Sequence, residues 1–275
     1  MDRAAKIAKD KAAKTYNAAA DFFDDEALSF WNKYGSATVS RLQLAKGASV
    51  LDVACGSGAS ALPAAEAVGG DGKVIAVDLS ENLLLLGRAK ASAGGINNID
   101  FVCKDMTALP YPDEKFDAVI CVFGIFFVPD MVALLKEFWR MVKPGGKLAV
   151  TTWGPHLFAP VYDIWRAAVK TERPDLYSAF NPWDLITDVH SVRNLFNSAG
   201  IVQVDVVSES GHQPLHAPND WWKIVLGSGL RWTVDQMGVD AALRVREQNS
   251  QWIETNDIRA IETNVIYAIA AKKSS

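Results

Sequence analysis

The sequence predicts an α/β fold, a doubly wound and mostly parallel seven-stranded sheet with an antiparallel last strand. Three observations predict it. Short apolar strands alternate with helical segments between residues 46 and 153, which is typical of parallel strands joined by right-handed crossovers. The first strand, residues 50–54, runs into a glycine loop at residues 56–58 and then into a helix. After residue 153 a strand, a long helical insertion and a final strand follow, as expected for an antiparallel closing pair.

The elements of this core are expected in regular order. Further strands are expected at 73–78, 99–106 and 116–123, with a tight turn at 143–146 that leads into a fifth strand. Helices are expected at about 59–68, 81–93 and 130–142. Asp52, Asp78 and Asp105 lie near the ends of three successive strands. Because parallel strands share a carboxyl edge, these acids are expected to surround one ligand.

The glycine loop by itself leaves two ligands open. Residues 56–61 fit the Gly-x-Gly-x-x-Ala dinucleotide pattern, and Asp78 lies 20 residues after Gly58, where that pattern has a ribose-binding acid. Asp52 argues against a dinucleotide, because its charge lies just before the loop, where a pyrophosphate would be repelled. Three acids suit a ligand with an ammonium group, a ribose diol and an exocyclic amine.

Several motifs at regular positions carry a resemblance to a known family. They are residues 50–58, 74–80, 105–106 with 109–113, 116–117 and 134–148 with Pro144-Gly145-Gly146. With them, the segment from Leu42 to Trp153 resembles the class I S-adenosylmethionine-dependent methyltransferases, in the ubiquinone/menaquinone-methyltransferase-like small-molecule branch. The resemblance implies S-adenosylmethionine as cofactor, with Asp52 facing its amino group. The residues predicted to contact the cofactor are Tyr16, Tyr34, Asp52, Ala54, Gly56, Gly58, Asp78, Leu79, Asp105, Met106 and Phe123.

The chain is expected to divide into three parts within one structural domain. Residues 1–45 look helical and are rich in aromatic side chains, which indicates either packing on the sheet or a lid over the cofactor. The resemblance favours the lid, with Tyr16 and Tyr34 as its contacts. Residues 46–153 form the cofactor-binding core. Residues 154–275 complete the sheet and carry a helical substrate cap at about 212–256, with two helices expected at 220–227 and 234–255.

The acceptor is expected to be small and aromatic or lipophilic. Seven of the nine tryptophans follow residue 150, and part of this aromatic set is expected in the core while the rest lines a pocket. The predicted pocket residues are Trp153, Phe158, Trp183, Trp221 and Trp222. Methyl transfer disperses the cofactor's positive charge, so a dry aromatic pocket does not oppose it.

His156, after the fifth strand, is the predicted general base for an oxygen acceptor. A polar loop residue without a catalytic role is the alternative. His212 and His216 have the spacing of a helical metal pair, but Pro214 lies between them and no third acidic ligand is evident. No metal is therefore expected.

Composition and charge limit the classes of partner that the protein can bind. The formal net charge of −4, without a basic stripe, argues against a nucleic-acid substrate. The longest apolar run, residues 118–128, is too short to span a membrane, so a soluble cytoplasmic protein is expected. The oligomeric state, monomer or homodimer, stays open.

The leading hypothesis is an S-adenosylmethionine-dependent methyltransferase with a small-molecule acceptor, and oxygen is favoured over nitrogen or carbon. A catalytically silent S-adenosylmethionine-binding module and an NAD-dependent oxidoreductase are the alternatives.

Overall fold

The structure is a computed structural model that describes residues 3–274. Its strands are β1 (Ser49–Val53), β2 (Lys73–Asp78), β3 (Ile99–Cys103), β4 (Phe116–Val122), β5 (Val142–Trp153), β6 (Val204–Glu209), β7 (His212–Pro214), β8 (Ala260–Glu262) and β9 (Val265–Ala271). Its α-helices are α1 (Arg3–Ala19), α2 (Phe30–Leu42), α3 (Ala61–Val68), α4 (Glu81–Ala93), α5 (Met131–Met141), α6 (Val161–Glu172), α7 (Val189–Ser198), α8 (Asp220–Leu226), α9 (Arg231–Met237) and α10 (Val239–Thr255).

Seven strands form the main sheet, in the order β3-β2-β1-β4-β5-β9-β6. The pairings are parallel except those of β9, which runs antiparallel to both β5 and β6. The predicted mostly parallel sheet with an antiparallel last strand is confirmed. The strand order reverses between β1 and β4, and ligands of such sheets bind at this switch point.

The three core helices lie close to their predicted positions, and side-chain caps explain where two of them begin. The Ser80 hydroxyl accepts from the Leu83 N–H at 3.2 Å at the start of α4. The Asp130 carboxylate accepts from the Ala133 N–H at 2.8 Å at the start of α5. Each cap satisfies one of the free N–H groups in the first turn of its helix.

The predicted turn before the fifth strand lies inside β5. Phe116 of β4 pairs with Val142, whereas Ala118 pairs with Lys147, so three extra residues of β5 bulge out between these pairs. Gly145, with φ of 78°, provides the left-handed backbone for this bulge. Pairing with β4 on both sides of the bulge is the reason that the strand begins earlier than expected.

The insertion between β6 and β9 has three helices instead of the expected two. The sequence predicted one long helix over residues 234–255, but Gly238 separates α9 from α10. Its φ of 83° and ψ of 158° are incompatible with a helix, and glycine adopts them without steric cost. Strands β7 and β8 pair with each other at the base of the insertion. Of the helices that the structure describes, none has the length and apolarity needed to cross a membrane.

Candidate active site

A cavity, called here the inner cavity, lies at the carboxyl ends of β1, β2, β3 and β4. Helix α1 covers it through Ala12, Ala13 and Tyr16. Seven of the eleven residues predicted to contact the cofactor line it: Tyr16, Ala54, Gly56, Asp78, Leu79, Met106 and Phe123. The structure therefore brings most of the predicted set together at the switch point of the sheet.

The backbone is strained where two strands enter this cavity. Ala54, after β1, has φ of 56°, and Phe123, after β4, has φ of 54°. Positive φ is uncommon for residues with a Cβ and occurs often at functional sites. The side chain of Ala54 leaves little room nearby, since a Cβ on Gly124 would lie 2.5 Å from its Cβ. Both strands thus turn sharply beside the cavity.

Asp78 provides an acidic side chain on the wall of the inner cavity. One carboxylate oxygen accepts from the Gly56 N–H at 2.9 Å, and the other accepts from the Ser80 N–H at 2.8 Å. Burial raises the pKa of Asp78, although these backbone donors oppose the shift. Each carboxylate oxygen has a second lone pair, so the side chain can still accept from hydroxyl groups of a ligand.

Asp52 lies one layer behind the cavity, not on its wall. It is fully buried, and its Oδ2 accepts from the Ser60 hydroxyl at 2.7 Å. Its Oδ1 has no hydrogen-bond partner among the described residues. Burial, together with the nearby charge of Asp78, raises the pKa of Asp52 to about 7, against the Ser60 hydrogen bond that lowers it. Ser60 lines the cavity, so Asp52 reaches it through this hydroxyl.

Asp105 is held by the N-terminal helix. Its Oδ2 forms an ion pair with Lys9 Nζ at 2.8 Å, and its Oδ1 accepts from both the N–H and the hydroxyl of Thr107. Burial would raise the pKa of Asp105, but Lys9 and Thr107 together hold it below its usual value. Asp105 does not line the inner cavity, since these contacts use its carboxylate. Met106 does line it.

Further polar contacts hold the N-terminal segment over the cavity. The Asn17 side-chain oxygen accepts from the Ser80 hydroxyl at 2.9 Å and from the Asn82 N–H at 3.1 Å. The Asp24 carboxylate accepts from the Ser57 hydroxyl at 2.7 Å and from Lys90 Nζ at 2.9 Å. These contacts join α1 and the segment after it to the loops that follow β1 and β2.

Tyr34 and Gly58 are not on the cavity wall. Tyr34 is fully buried and its hydroxyl donates to the Thr263 carbonyl at 2.6 Å, so it is held in the core and does not line the cavity. Gly58 packs under the loop, where an added Cβ would lie 3.0 Å from Leu62. Phe23 and Trp31 line the cavity wall, and the sequence did not predict them as contacts. Their rings stack with centroids 5.2 Å apart. The high density of aromatic residues in segment 1–45 was the sequence signal that could have indicated them.

A narrow second cavity, called here the neck, adjoins the inner cavity. Tyr16, Trp31, Phe123 and Phe127 line both. Three of the predicted pocket residues also line the neck: Trp153, Phe158 and Trp183. The Trp31 Nε1–H is buried without a hydrogen-bond partner among the described residues. The neck is therefore a mainly aromatic passage, and the Trp31 N–H in its wall has no protein partner.

Trp221 and Trp222 lie in the core instead of on the cavity walls. Trp221 is 1% exposed, and its Nε1–H donates to the Asn249 side-chain oxygen at 2.8 Å. Its ring packs edge-on against Phe158, which separates it from the neck. The insertion reaches the neck through Ser228, Gly229 and Leu230. The predicted cap therefore contributes its α8–α9 loop, and not these two tryptophans.

His156 is exposed and lines none of the cavities described here. The structure thus separates it from the place where a base would act. His190, His212 and His216 are also exposed, and His212 lies in strand β7 instead of a helix. Within residues 3–274, no group of three or more His, Cys, Asp or Glu side chains is arranged to hold a metal ion.

Tyr16 is the ionisable residue that lies in both the inner cavity and the neck. Burial, with a smaller contribution from the charge of Asp78, raises the pKa of its hydroxyl far above the usual value. The hydroxyl is therefore neutral at physiological pH, and it can donate a hydrogen bond but is a poor general base.

A third and wider space, called here the outer cavity, adjoins the neck. Trp183, Gly229 and Leu230 line both, while Tyr16 and Phe127 line all three spaces. The remaining wall comes from α1, α6, α9 and the segment 175–183. A ligand in the neck can therefore extend in two directions, toward Asp78 or toward α6.

The chain is similar to curated demethylmenaquinone methyltransferases. Over 127 residues the chain is 40% identical to the demethylmenaquinone methyltransferase of Geobacillus stearothermophilus. This match covers 46% of this chain and 54% of the relative. Over 111 residues it is 45% identical to that of Shouchella clausii, covering 40% and 47%. The matches span about half the length of these curated relatives.

A solved structure and a family model extend the comparison. Phosphoethanolamine N-methyltransferase 2 of Haemonchus contortus, in complex with phosphomonomethylethanolamine and S-adenosylhomocysteine, superposes with a TM-score of 0.59 at 17% identity. The match covers 97% of this chain and 60% of that one, and at this identity it shows the fold alone. The model of the ubiE/COQ5 methyltransferase family matches residues 3–170, more than half of the chain. The chain therefore belongs to the ubiE/COQ5 methyltransferase family.

Proposed function

We propose that the protein transfers a methyl group from S-adenosylmethionine to a small aromatic acceptor. One observation carries the proposal: a cavity at the switch point of the sheet, with the carboxylate of Asp78 on its wall, adjoins an aromatic neck. Membership of the ubiE/COQ5 family supports the same reaction. The inner cavity would hold the cofactor and the neck would hold the acceptor.

The residues of the inner cavity suit this cofactor. Asp78 has lone pairs left for the two ribose hydroxyls, and Leu79, Leu83 and Met106 offer an apolar surface for the adenine ring. Bound S-adenosylmethionine supplies an electrophilic methyl group on a positively charged sulfur. The aromatic rings of Tyr16 and Phe123, at the junction with the neck, can stabilise that charge.

The neck positions the acceptor and excludes water. Its walls are aromatic or aliphatic apart from Ser228 and the Tyr16 hydroxyl. Because Tyr16 stays neutral, no residue of this wall is suited to remove a proton. The acceptor atom is therefore expected to be acidic enough to ionise by itself, as in a phenol or a hydroxyquinone. Holding the two reactants in line can supply several orders of magnitude in rate.

Oxygen remains the favoured acceptor atom. The Trp31 Nε1–H, buried and unpartnered, can donate to a ring oxygen next to the reacting atom and fix the ring in one orientation. The Geobacillus and Shouchella relatives are named for demethylmenaquinone, so quinone-derived rings belong in the acceptor set.

Two measurements test the proposal. Calorimetry should show binding of S-adenosylmethionine and S-adenosylhomocysteine, with no binding of NAD at the same concentration. Isotope-labelled S-adenosylmethionine, incubated with a panel of phenols, hydroxyquinones and amines, should label members of the phenol or quinone sets. NAD binding without donor binding would instead favour the oxidoreductase. Donor binding with no labelled product across the panel would favour the catalytically silent module.

A further inference from the structure

The outer cavity contains charge that methyl transfer does not use. Arg166 of α6 and Lys11 of α1 both line it. The aromatic side chains around them include Tyr162, Tyr177 and Trp232. A cavity walled by rings and two cations, and joined to the neck, has the features of a binding site for the distal part of the acceptor.

Arg166 is only partly satisfied by the protein. One of its terminal nitrogens donates to the Tyr177 hydroxyl at 3.0 Å. Its Nε–H is buried and has no hydrogen-bond partner among the described residues. Its nearest carboxylate, Asp163, is 3.8 Å away with 81% of its side chain exposed, so that pair is weak. The protein thus gives Arg166 no strong anionic partner: its Nη2 contacts the neutral oxygens of Tyr177 and Ala179, and the guanidinium can pair with a ligand carboxylate.

Lys11 faces the same space from the N-terminal helix. Its ammonium group lies 5.3 Å from the centre of the Trp232 ring. In the described part of the chain no carboxylate pairs with Lys11, and partial burial lowers its pKa. The charge of Lys11 is therefore stabilised by the Trp232 ring and solvent instead of a carboxylate.

The acidic side chain on this wall does not cancel these charges. Asp175 lines the outer cavity, but both of its oxygens accept from Arg173, at 2.8 Å and 2.7 Å. This bidentate pair is self-contained, since Arg173 neutralises the carboxylate. The Trp165 Nε1–H, on the same wall, is also buried without a partner among the described residues. The wall thus offers donors and positive charge in excess of acceptors.

We propose that the outer cavity binds a carboxylate carried by the acceptor at the end opposite the methylated atom. Arg166 and Lys11 hold the anion, the rings of Tyr162 and Tyr177 flank it, and the acceptor's own ring lies in the neck. The identity of this ligand as the acceptor rests on the proposed function, whereas binding of an aromatic carboxylate does not. The lipophilic acceptor expected from the sequence thereby becomes amphipathic, with one acidic end.

Matched probes test the carboxylate directly. The protein, saturated with S-adenosylhomocysteine, is titrated calorimetrically with 6-hydroxy-2-naphthoate and with its primary amide, and with 4-hydroxybenzoate and its amide, at pH 7.5 and constant ionic strength. In at least one pair the carboxylate should bind about tenfold or more tightly, as expected for charge-assisted hydrogen bonds. Lys11→Gln and Arg166→Gln should each weaken carboxylate binding about tenfold and change amide binding less than twofold.

Lys14→Gln is the control, because Lys14 is an exposed lysine of the same helix that does not line the cavity. It should leave both affinities unchanged. Equal affinity for the two members of each pair, absence of binding by all four probes, or an equal loss for acid and amide in Lys11→Gln would overturn the inference. Carboxylate binding with this pattern but without methyl transfer to any acceptor would overturn the proposed function and leave the anion site standing. Methylation of neutral acceptors without tighter carboxylate binding would overturn the anion site and leave the proposed function standing.

Discussion

The rings of Tyr16 and Phe127 pack edge to face, with centroids 5.5 Å apart and planes at 83°, and both line all three cavities. One ring comes from α1 and the other from the turn after β4. This contact therefore joins the N-terminal segment to the sheet at the point where cofactor and acceptor would meet.

Changes at Tyr16 should separate the role of its ring from that of its hydroxyl. Tyr16→Ala removes the edge-to-face contact and opens the junction, so we expect methyl transfer to fall at least tenfold. Tyr16→Phe keeps the ring and should preserve the shape of the pH–rate profile between pH 6 and 9, because burial keeps the hydroxyl protonated throughout. Loss of an ionisation from that profile in Tyr16→Phe would identify the hydroxyl as a base.

Asp78→Ala should weaken S-adenosylmethionine binding about tenfold to hundredfold, because charge-assisted hydrogen bonds contribute roughly 1.5–3 kcal/mol and each 1.4 kcal/mol is tenfold. Calorimetry on the folded variant measures the change. Asp100→Ala is the matched control, since Asp100 is an exposed acid of β3 paired with Lys73 and does not line the cavity. Equal affinities in the two variants would make Asp78 a structural residue.

The sheet and most of the inner cavity follow from local sequence, because strand periodicity, the glycine loop and the acids at strand ends are short-range signals. The ion pair of Asp105 could not be predicted from such short-range signals. Its partner Lys9 lies 96 positions earlier in the chain, and nothing in either segment specifies that pairing. Likewise, the tryptophans after residue 150 could be counted but not assigned to cavity wall or core, because tertiary packing decides which face each one presents. Trp183 lies on the wall of the neck, whereas Trp221 lies in the core.

Asp52 should make stability depend on pH. Its folded pKa, about 7, lies above the ordinary value of 3.8. At pH well below 3.8 the carboxyl is protonated in both states; as pH rises toward 7 the unfolded state ionises first, so the free energy of unfolding falls by up to about 4 kcal/mol. Asp52→Asn should not show this loss. Urea unfolding at pH 4.5 and pH 7.5 measures both proteins, and parallel pH dependences would show that Asp52 is ionised in the native state.

The ion pair between Lys9 and Asp105 should control how firmly α1 covers the cavity. Lys9→Gln should speed amide hydrogen exchange in α1 and accelerate cofactor dissociation, while global stability changes by no more than about 1 kcal/mol, since the pair is partly exposed. Lys6→Gln, an exposed lysine on the same helix, is the comparison. Unchanged exchange in Lys9→Gln would show that the contacts of Asn17 and Asp24 suffice to hold the helix.

Trp183 and Trp221 should respond differently to removal because only one of them faces a cavity. Trp221→Ala deletes a fully buried ring and leaves the Asn249 side-chain oxygen without its donor, so we expect a loss of about 3–5 kcal/mol in the free energy of unfolding. Trp183 is half-buried, lines the neck and the outer cavity, and touches Phe126 edge-on. Trp183→Ala should instead raise the acceptor's KM about tenfold and leave cofactor affinity within twofold, because Asp78 and the glycine loop are untouched. Thermal unfolding, donor calorimetry and acceptor kinetics on both variants make the comparison. An acceptor KM that changes in Trp221→Ala but not in Trp183→Ala would place the acceptor under α8 instead of in the neck.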